Sequence, residues 1–500
     1  MRFDGKRAAL HTLGCKVNEY ETDSMRASLR DAGFSIVGFD EDADVYVINT
    51  CSVTNIADRK SRQMISRAKR NHPDAVVVAA GCYVQTALDR TGKSVDADIL
   101  IGTGRKGCLL EELERYFLAM DRSFRNVADV MHEPVYEELF LPRIEGHTRA
   151  FVKVQDGCNL FCSYCIIPYA RGRIRSRRME DVLAELKNLA SQGIREVVLT
   201  GIHLSSYGVD FEGNIRQAYG ENGERQTWQE RSKLIDLIEA VAQIEGIERI
   251  RLGSLEPTII TEAFVERLRK VGKLCPHFHL SLQSGCDSVL KRMNRHYTAK
   301  EYLECLSLLR GAFDTPAVTT DVIVGFPGES EEEFACTGQF LEQAHFYETH
   351  LFRYSMRAGT KAARMPGQVP ETVKEERLAR LQAIDRRMRL DFERAWEDRK
   401  SEVLFEEIAQ AGEDGLIQAP NSGAPRRQAD VIRPAGRQNS ENAKEPVRGT
   451  GTAVPAPGRE KLYTGYTREY IRVYARSAED LRGQVRQGRL GSGGVFRLEA

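Results

Sequence analysis

The apolar positions of the first hundred residues fall in short, dense runs separated by helical patterns. Residues 7–13 (RAALHTL), 44–50 (DVYVINT) and 75–81 (AVVVAAG) are rich in aliphatic and β-branched side chains and read as buried strands. Helical periodicity follows the first two, over 18–32 and 55–71. This alternation predicts a doubly wound parallel sheet within residues 1–135. A second series of six strands is expected near 150–155, 195–200, 248–253, 278–282, 317–325 and 349–355, with helices such as 179–192 and 330–345 between them. Six strand–helix units predict a partial (βα)6 barrel within 144–370. The polar segment 205–230 reads as a surface insertion. A charged linker helix is expected over 371–398, followed by a small β-barrel over 399–500 that includes strands at 402–406 and from Tyr463 to Tyr474. The stretch 418–460 is rich in Pro, Gly, Ala, Arg and Ser, lacks apolar periodicity and is expected to be disordered. The fold class is therefore α/β multidomain.

Composition narrows the function classes. At 500 residues the chain calls for several domains, and 41% hydrophobic with 29% charged residues is ordinary for a globular protein. No apolar run approaches the length of a membrane span, and the N-terminus lacks a secretory signal pattern. A cytoplasmic, membrane-free, monomeric protein is expected. Eleven cysteines in a reducing compartment then read as metal ligands or catalysts in preference to disulfides. Net charge is zero, so nucleic acid would have to meet local basic patches, of which Arg59–Arg70, Arg171–Arg178 and Arg468–Arg476 are candidates.

Cys158-Asn-Leu-Phe-Cys162-Ser-Tyr-Cys165 follows the first expected barrel strand. Three thiolates suit a four-iron cluster that keeps one iron open for a ligand. Zinc, which would recruit a fourth Cys or His, is the alternative. Cys15, Cys51 and Cys82 each follow one strand of the N-terminal sheet, so parallel topology would gather them at one edge. Polar residues also cluster past the barrel strands, at Thr200, His203, Ser254, Glu256, Gln283, Ser284, Asp321 and Arg353.

The triplet and its surroundings resemble the methylthiotransferase family of radical S-adenosylmethionine enzymes. The likeness rests on Thr12-Leu-Gly-Cys-Lys-Val-Asn-Glu-Tyr-Glu-Thr22, Asn49-Thr-Cys-Ser-Val-Thr-Asn-Ile-Ala-Asp-Arg-Lys-Ser-Arg62, Ala80-Gly-Cys82 and the loop Gly157–Gly172. Further matches are Leu280–Gly285, Asp321–Glu329 and Phe352–Thr360, and the tail Tyr463–Tyr474 resembles a TRAM module. The resemblance implies two 4Fe-4S clusters, on Cys15, Cys51 and Cys82 and on Cys158, Cys162 and Cys165, with S-adenosylmethionine as the second cofactor. It implies a tRNA substrate, methylthiolated beside the anticodon, and a reducing donor such as flavodoxin or ferredoxin. The form Gly14-Cys-Lys-Val-Asn18 is most similar to the threonylcarbamoyladenosine branch of the family. Isopentenyladenosine or a ribosomal-protein aspartate is the alternative substrate, and a metal-stabilised RNA-binding module the non-enzymatic alternative.

Around the cofactors, Tyr164, Gln283, Ser284, Gly325, Pro327 and Gly328 are the expected S-adenosylmethionine contacts. Tyr164 could instead simply pack on the barrel, and Gly325–Gly328 could be a mere turn. Arg171, Arg173 and Arg175, next to the cysteine loop, are expected to meet RNA phosphates, or else to form salt bridges with nearby carboxylates. Arg468 and Arg472, on one expected strand with Tyr470 and Tyr474, are further RNA candidates. Cys108, Cys275, Cys286, Cys305 and Cys336 have no partner spacing and read as small buried apolar residues.

Overall fold

A computed structural model describes residues 3–88, 92, 94–118, 124–133, 135–143, 148–211, 228–411, 417–418 and 460–499. The segment 418–460, expected to be disordered, lies outside the described residues except for its two ends. The chain parts into two compact units, Met1–Leu390 and Asp391–Ala500.

The first unit opens on a six-stranded parallel sheet. Its strands are β1 (Arg7–Thr12), β2 (Ser35–Val37), β3 (Val45–Thr50), β4 (Val76–Gly81), β5 (Ile99–Ile101) and β6 (Phe124–Asn126), in the order β2-β1-β3-β4-β5-β6. The sequence pattern misses β2, β5 and β6, which have three residues each and are too short to show a period. Strands β3 and β4 are buried along their whole length, which is why they read as unbroken apolar runs. Helices α1 (Lys16–Asp31) and α4 (Leu109–Leu118) cover one face through Met25, Leu29, Leu109 and Leu113. Helices α2 (Asn55–Asn71) and α3 (Cys82–Thr86) cover the other through Ile65, Ala68, Tyr83 and Val84. The doubly wound expectation holds.

Six parallel strands follow: β7 (Arg149–Asp156), β9 (Glu196–Gly201), β10 (Arg249–Leu252), β11 (His277–His279), β12 (Ala317–Val324) and β13 (Glu348–Arg353). A two-residue strand, β8 (Arg175–Ser176), pairs antiparallel with the end of β7. Isolated bridges Ile250↔Leu274 and Leu255↔Leu280 join the β7-β9-β10 sheet to the β11-β12-β13 sheet, giving the expected partial barrel. Helices α5 (Ile167–Arg171) and α6 (Met179–Ser191) follow β7. Side-chain alternation divides the strands cleanly. Ala150, Val152, Val154, Val197, Leu199, Ile250, Leu252, Phe278, Val318, Val322 and Val324 pack outward under the helices. The alternate positions line the lumen and are strongly polar: Arg149, Lys153, Glu196, Arg249, Arg251, His277, His279, Asp321 and His350. A closed barrel fills this space with branched apolar side chains; a charged lumen is built for a ligand. Of the expected surface insertion, Ser205–Val209 is buried and 212–227 lies outside the described residues.

In the second unit β14 (Lys400–Ile408) stands at the centre of a five-stranded antiparallel sheet. A short pair, β15 (Gln410–Ala411) and β16 (Ile417–Gln418), follows it. Strands β17 (Lys461–Thr467), β18 (Arg472–Ser477), β19 (Val485–Leu490) and β20 (Phe496–Leu498) complete the order β18-β17-β14-β19-β20. A bridge from Tyr474 to Val495 nearly closes this sheet into a barrel. The expected single strand from Tyr463 to Tyr474 is instead a hairpin, because Tyr470 turns at φ 69°.

Candidate active site

In the N-terminal sheet the three cysteines are brought together by topology. Cys15 caps α1 just past β1, Cys51 follows β3, and Cys82 opens α3 just past β4. Neighbouring parallel strands place their carboxyl ends side by side, so residues far apart in sequence share one edge. Gly14 permits the approach: at φ 111° a Cβ there would lie 2.9 Å from Cys51 Cβ and 3.0 Å from its Sγ. Asn18 Nδ2 donates to the Leu13 and Thr50 carbonyls at 2.6 and 3.0 Å, clamping the ends of β1 and β3. Burial, with the neighbouring Cys82 and Cys15 sulfurs, pushes the Cys51 thiol up to about 12. Burial raises Cys82 as well, against the pull of Arg171 and Lys106.

Beneath these thiols lies a charge network that the sequence does not announce. Glu21 of α1 receives Lys106 Nζ at 2.7 Å, Lys153 Nζ at 2.8 Å and Arg171 Nη1 at 2.9 Å, all of them buried. Lys153 and Arg171 also pair with Asp156, at 2.7 and 3.1 Å. Burial alone would raise both carboxylates, but Arg171, Lys106 and Lys153 outweigh it at Glu21, and Lys153 and Arg171 at Asp156. Three cations against two carboxylates leave a positive excess that acts on Cys82 and Cys51. Clustered thiolates need such a counter-charge. The one available hint was Lys153, a charge inside the apolar strand Ala150-Phe-Val-Lys-Val154.

The second triplet is local. Gly157, at φ 71°, starts the loop, and a Cβ there would sit 1.8 Å from the Arg173 carbonyl oxygen. Gly172, at φ 77°, ends it equally tightly, with a Cβ 1.9 Å from the Val130 oxygen. Cys158 N donates to Gly172 O at 3.1 Å and Cys165 N to Cys162 O at 2.9 Å. Asn294 Nδ2 donates to the Leu160 and Phe161 carbonyls, and Ser163 N to Met293 O. Arg295 Nη1 lies 3.2 Å from Cys162 Sγ, while its Nη2 pairs with buried Glu256 at 2.7 Å. Burial, with Cys162 alongside, raises Cys165 to about 12, and burial likewise raises Cys158. Asn294 and Arg295 carried no sequence signal, since an Asn-Arg pair after a helix reads as an ordinary turn.

Each triplet offers three soft sulfurs beside a fixed cation, and burial disfavours free thiolate at Cys51 and Cys82 in one and at Cys158 and Cys165 in the other. That donor set fits a 4Fe-4S cluster at each place, with one iron left for another ligand. The residues expected around S-adenosylmethionine are placed as follows. Gln283 is buried at φ 72°, stitched to β12 through its backbone, and its amide makes no bond among the described residues. Ser284 is buried with its hydroxyl 3.1 Å from that of Thr337. Gly325 donates to Glu329, Gly328 donates to Gly367 O, and Pro327 is buried, so Gly325–Gly328 is a braced turn. Tyr164 packs with Phe326, Val289, Met293 and Tyr354, which seats the cysteine loop on that turn.

The arginines after the loop require correction. Arg171 and Arg175 are buried, the first holding Glu21, Asp156 and Asn18, the second donating to the Arg171 carbonyl. Their burial, not their hydrogen bonding, leaves no exposed face for a phosphate. Of Arg171, Arg173 and Arg175, only Arg173 is exposed, stacked over Phe161 with 4.6 Å to the ring centroid. In the second unit Arg472 lies over Tyr466, which stacks on Tyr470 at 4.6 Å. Arg468 sits in the hairpin turn, off the strand, and Tyr474 is buried. Of the unassigned cysteines, Cys275 and Cys305 are buried as expected, whereas Cys336 is exposed.

Comparison with known proteins places the chain in a family. Residues 152–341 match the model of the Radical SAM superfamily, and residues 7–102 that of the Uncharacterized protein family UPF0004. The chain is 37% identical over 478 residues to a threonylcarbamoyladenosine tRNA methylthiotransferase of Bacillus subtilis, covering 95% of this chain and 92% of that one. A second protein of that name, from Aquifex aeolicus, is 39% identical over 77% of this chain and 89% of its own. A tRNA-2-methylthio-N(6)-dimethylallyladenosine synthase of Moorella thermoacetica is 37% identical over 81% and 88%.

Proposed function

Since the chain belongs to the threonylcarbamoyladenosine tRNA methylthiotransferases, radical S-adenosylmethionine enzymes, we propose how its residues divide that work. It is a transferase that methylthiolates N6-threonylcarbamoyladenosine in tRNA, at C2 of the base beside the anticodon. We assign one 4Fe-4S cluster to Cys158, Cys162 and Cys165 and the other to Cys15, Cys51 and Cys82. When bound, the two clusters and S-adenosylmethionine supply the radical and the sulfur chemistry. The observation that carries this division is the presence of two separate thiol triplets, each with its own buried cation.

The chain's own part is to hold, orient and shield. Arg295 donates to the Cys162 sulfur and fixes its position, with Glu256 behind it. Gln283 offers a free amide at the rim for the S-adenosylmethionine that Tyr164, Ser284, Gly325, Pro327 and Gly328 surround in this reading. Arg357 ties the two halves of the site together, donating to Ser52 Oγ at 2.8 Å and Asn55 Oδ1 at 2.7 Å and pairing with Asp58 at 2.8 Å. The stacked Tyr466 and Tyr470 with Arg472 form the RNA-gripping surface of the second unit, as bases stack on aromatic faces.

Among the described residues no helix is long and apolar enough to cross a membrane. A cytoplasmic monomer fed by flavodoxin or ferredoxin completes the reading. Mass analysis of tRNA nucleosides, from cells lacking the protein and from reconstituted full chain incubated with their tRNA, tests it. The 2-methylthio form should vanish in the first and return in the second; 2-methylthio-isopentenyladenosine instead would move the chain to the other branch.

A further inference from the structure

The residue after Cys15 takes part in neither thiol array. Lys16 extends from the start of α1 to the inner face of β7, with Nζ 6.0 Å from the Phe151 ring centroid. The Arg149 guanidinium stands over the same ring at 5.7 Å. Solvent reaches the Lys16 side chain, as expected in an open lumen, and among the described residues no carboxylate lies within ion-pair distance of its ammonium.

The surroundings are cationic in excess. Glu196, a lumen carboxylate that acts on Lys16, is already taken by Arg249 at 2.8 Å and Arg251 at 2.7 Å, with Arg149 at 4.0 Å. Glu19 is the other acid acting on Lys16, so four cations face two carboxylates. Asp321 across the lumen is matched by His279, 3.3 Å away, which stacks on His350. Confined positive charge of this kind attracts an anion, and a flexible ammonium that reaches solvent is the group able to meet it.

We propose that this part of the lumen is a carboxylate subsite, in which Lys16 binds the α-carboxylate of the substrate's threonylcarbamoyl group while Arg149 and Arg251 maintain the field. The proposal rests on the substrate reading above. The subsite sits beside Cys15, so engaging the substituent's far end would fix the adenine next to the sulfur-bearing side of the site. A substrate whose N6 substituent is uncharged would gain nothing from Lys16 and would leave it unpaired.

Two anticodon stem-loops test this, one carrying the natural threonine acid and the other its carboxamide, with reconstituted full-length enzyme. Wild type should prefer the acid by about 30-fold in kcat/KM, the size of a lost charge-assisted hydrogen bond. Lys16→Met should treat both alike at the level of the amide, and Lys16→Arg should restore most of the preference. Iron content identifies a variant that has merely lost its cluster. If Lys16→Met is such a variant, Arg149→Gln, farther from the thiols, must lower the acid preference about fivefold by weakening the field. Equal rates for acid and amide in wild type, or an undiminished preference in an iron-replete Lys16→Met, would overturn the subsite. Refusal of both stem-loops by wild type that still cleaves S-adenosylmethionine would instead overturn the substrate reading beneath it.

Discussion

The two thiol triplets solve one problem in opposite ways. Cys158, Cys162 and Cys165 lie within eight residues, in a loop closed by backbone hydrogen bonds between two positive-φ glycines. Cys15, Cys51 and Cys82 span sixty-eight residues and meet only because three parallel strands end together. The loop is a local structure with its own geometry. The strand-end triplet depends on tertiary structure, on Asn18 and Gly14 at the sheet edge, and on the Glu21 charge network beneath it. Damage to the loop should therefore stay local, whereas damage to the network should spread.

The sharpest way to break this contrast is a methyl group at each glycine. Gly157→Ala places a Cβ against the Arg173 carbonyl and should abolish 5′-deoxyadenosine formation while about four irons stay on the chain, by cluster stoichiometry. Gly14→Ala pushes on Cys51 and should do the reverse, sparing cofactor cleavage but ending methylthiolation. Iron assay and chromatography of both products check each variant. Loss of all iron in Gly157→Ala would show that the loop is not independent.

Next in size is Arg171→Met. It strips one cation from two buried carboxylates, an uncompensated change worth about 3–5 kcal/mol. Thermal unfolding should shift accordingly, and the N-terminal cluster should be lost before the loop cluster.

A smaller effect distinguishes the barrel side. His203 is buried, both ring nitrogens lack a partner among the described residues, and burial with nearby Arg295 pushes it down to about 3. The folded chain thus keeps it neutral, while the unfolded chain binds a proton below about 6.5. Stability must fall as pH drops from about 6.5 towards 3, by about 1.4 kcal/mol per pH unit from this one group. His203→Gln should flatten the slope by that amount in denaturant titrations. An unchanged slope would mean that the ring titrates normally. Smallest of all, Arg472→Glu should weaken tRNA binding and reduce the salt slope by about one contact without touching either cluster.

The same contrast explains what could be read from the chain. The loop triplet and the strands β3, β4, β7 and β12 are visible because their signals are local: short spacing, apolar runs buried on both faces in β3 and β4, and apolar positions alternating with polar ones in β7 and β12. The strand-end triplet becomes visible once strand order is inferred. Arg171 and Arg175 misled because a run of arginines looks the same whether it meets phosphate or buried carboxylate; Glu21 and Asp156, 135 residues apart, decide it. Arg295 and Lys106 act through partners contributed by distant segments, and no local pattern reveals such partners.

The most direct test replaces Cys15, Cys51 and Cys82 together with Ala and follows two products in one anaerobic reaction with tRNA. If the triplets are separate sites with separate tasks, 5′-deoxyadenosine should still form from S-adenosylmethionine while no 2-methylthio nucleoside appears. Methylthiolated tRNA at the wild-type rate, or no 5′-deoxyadenosine at all, would contradict that division.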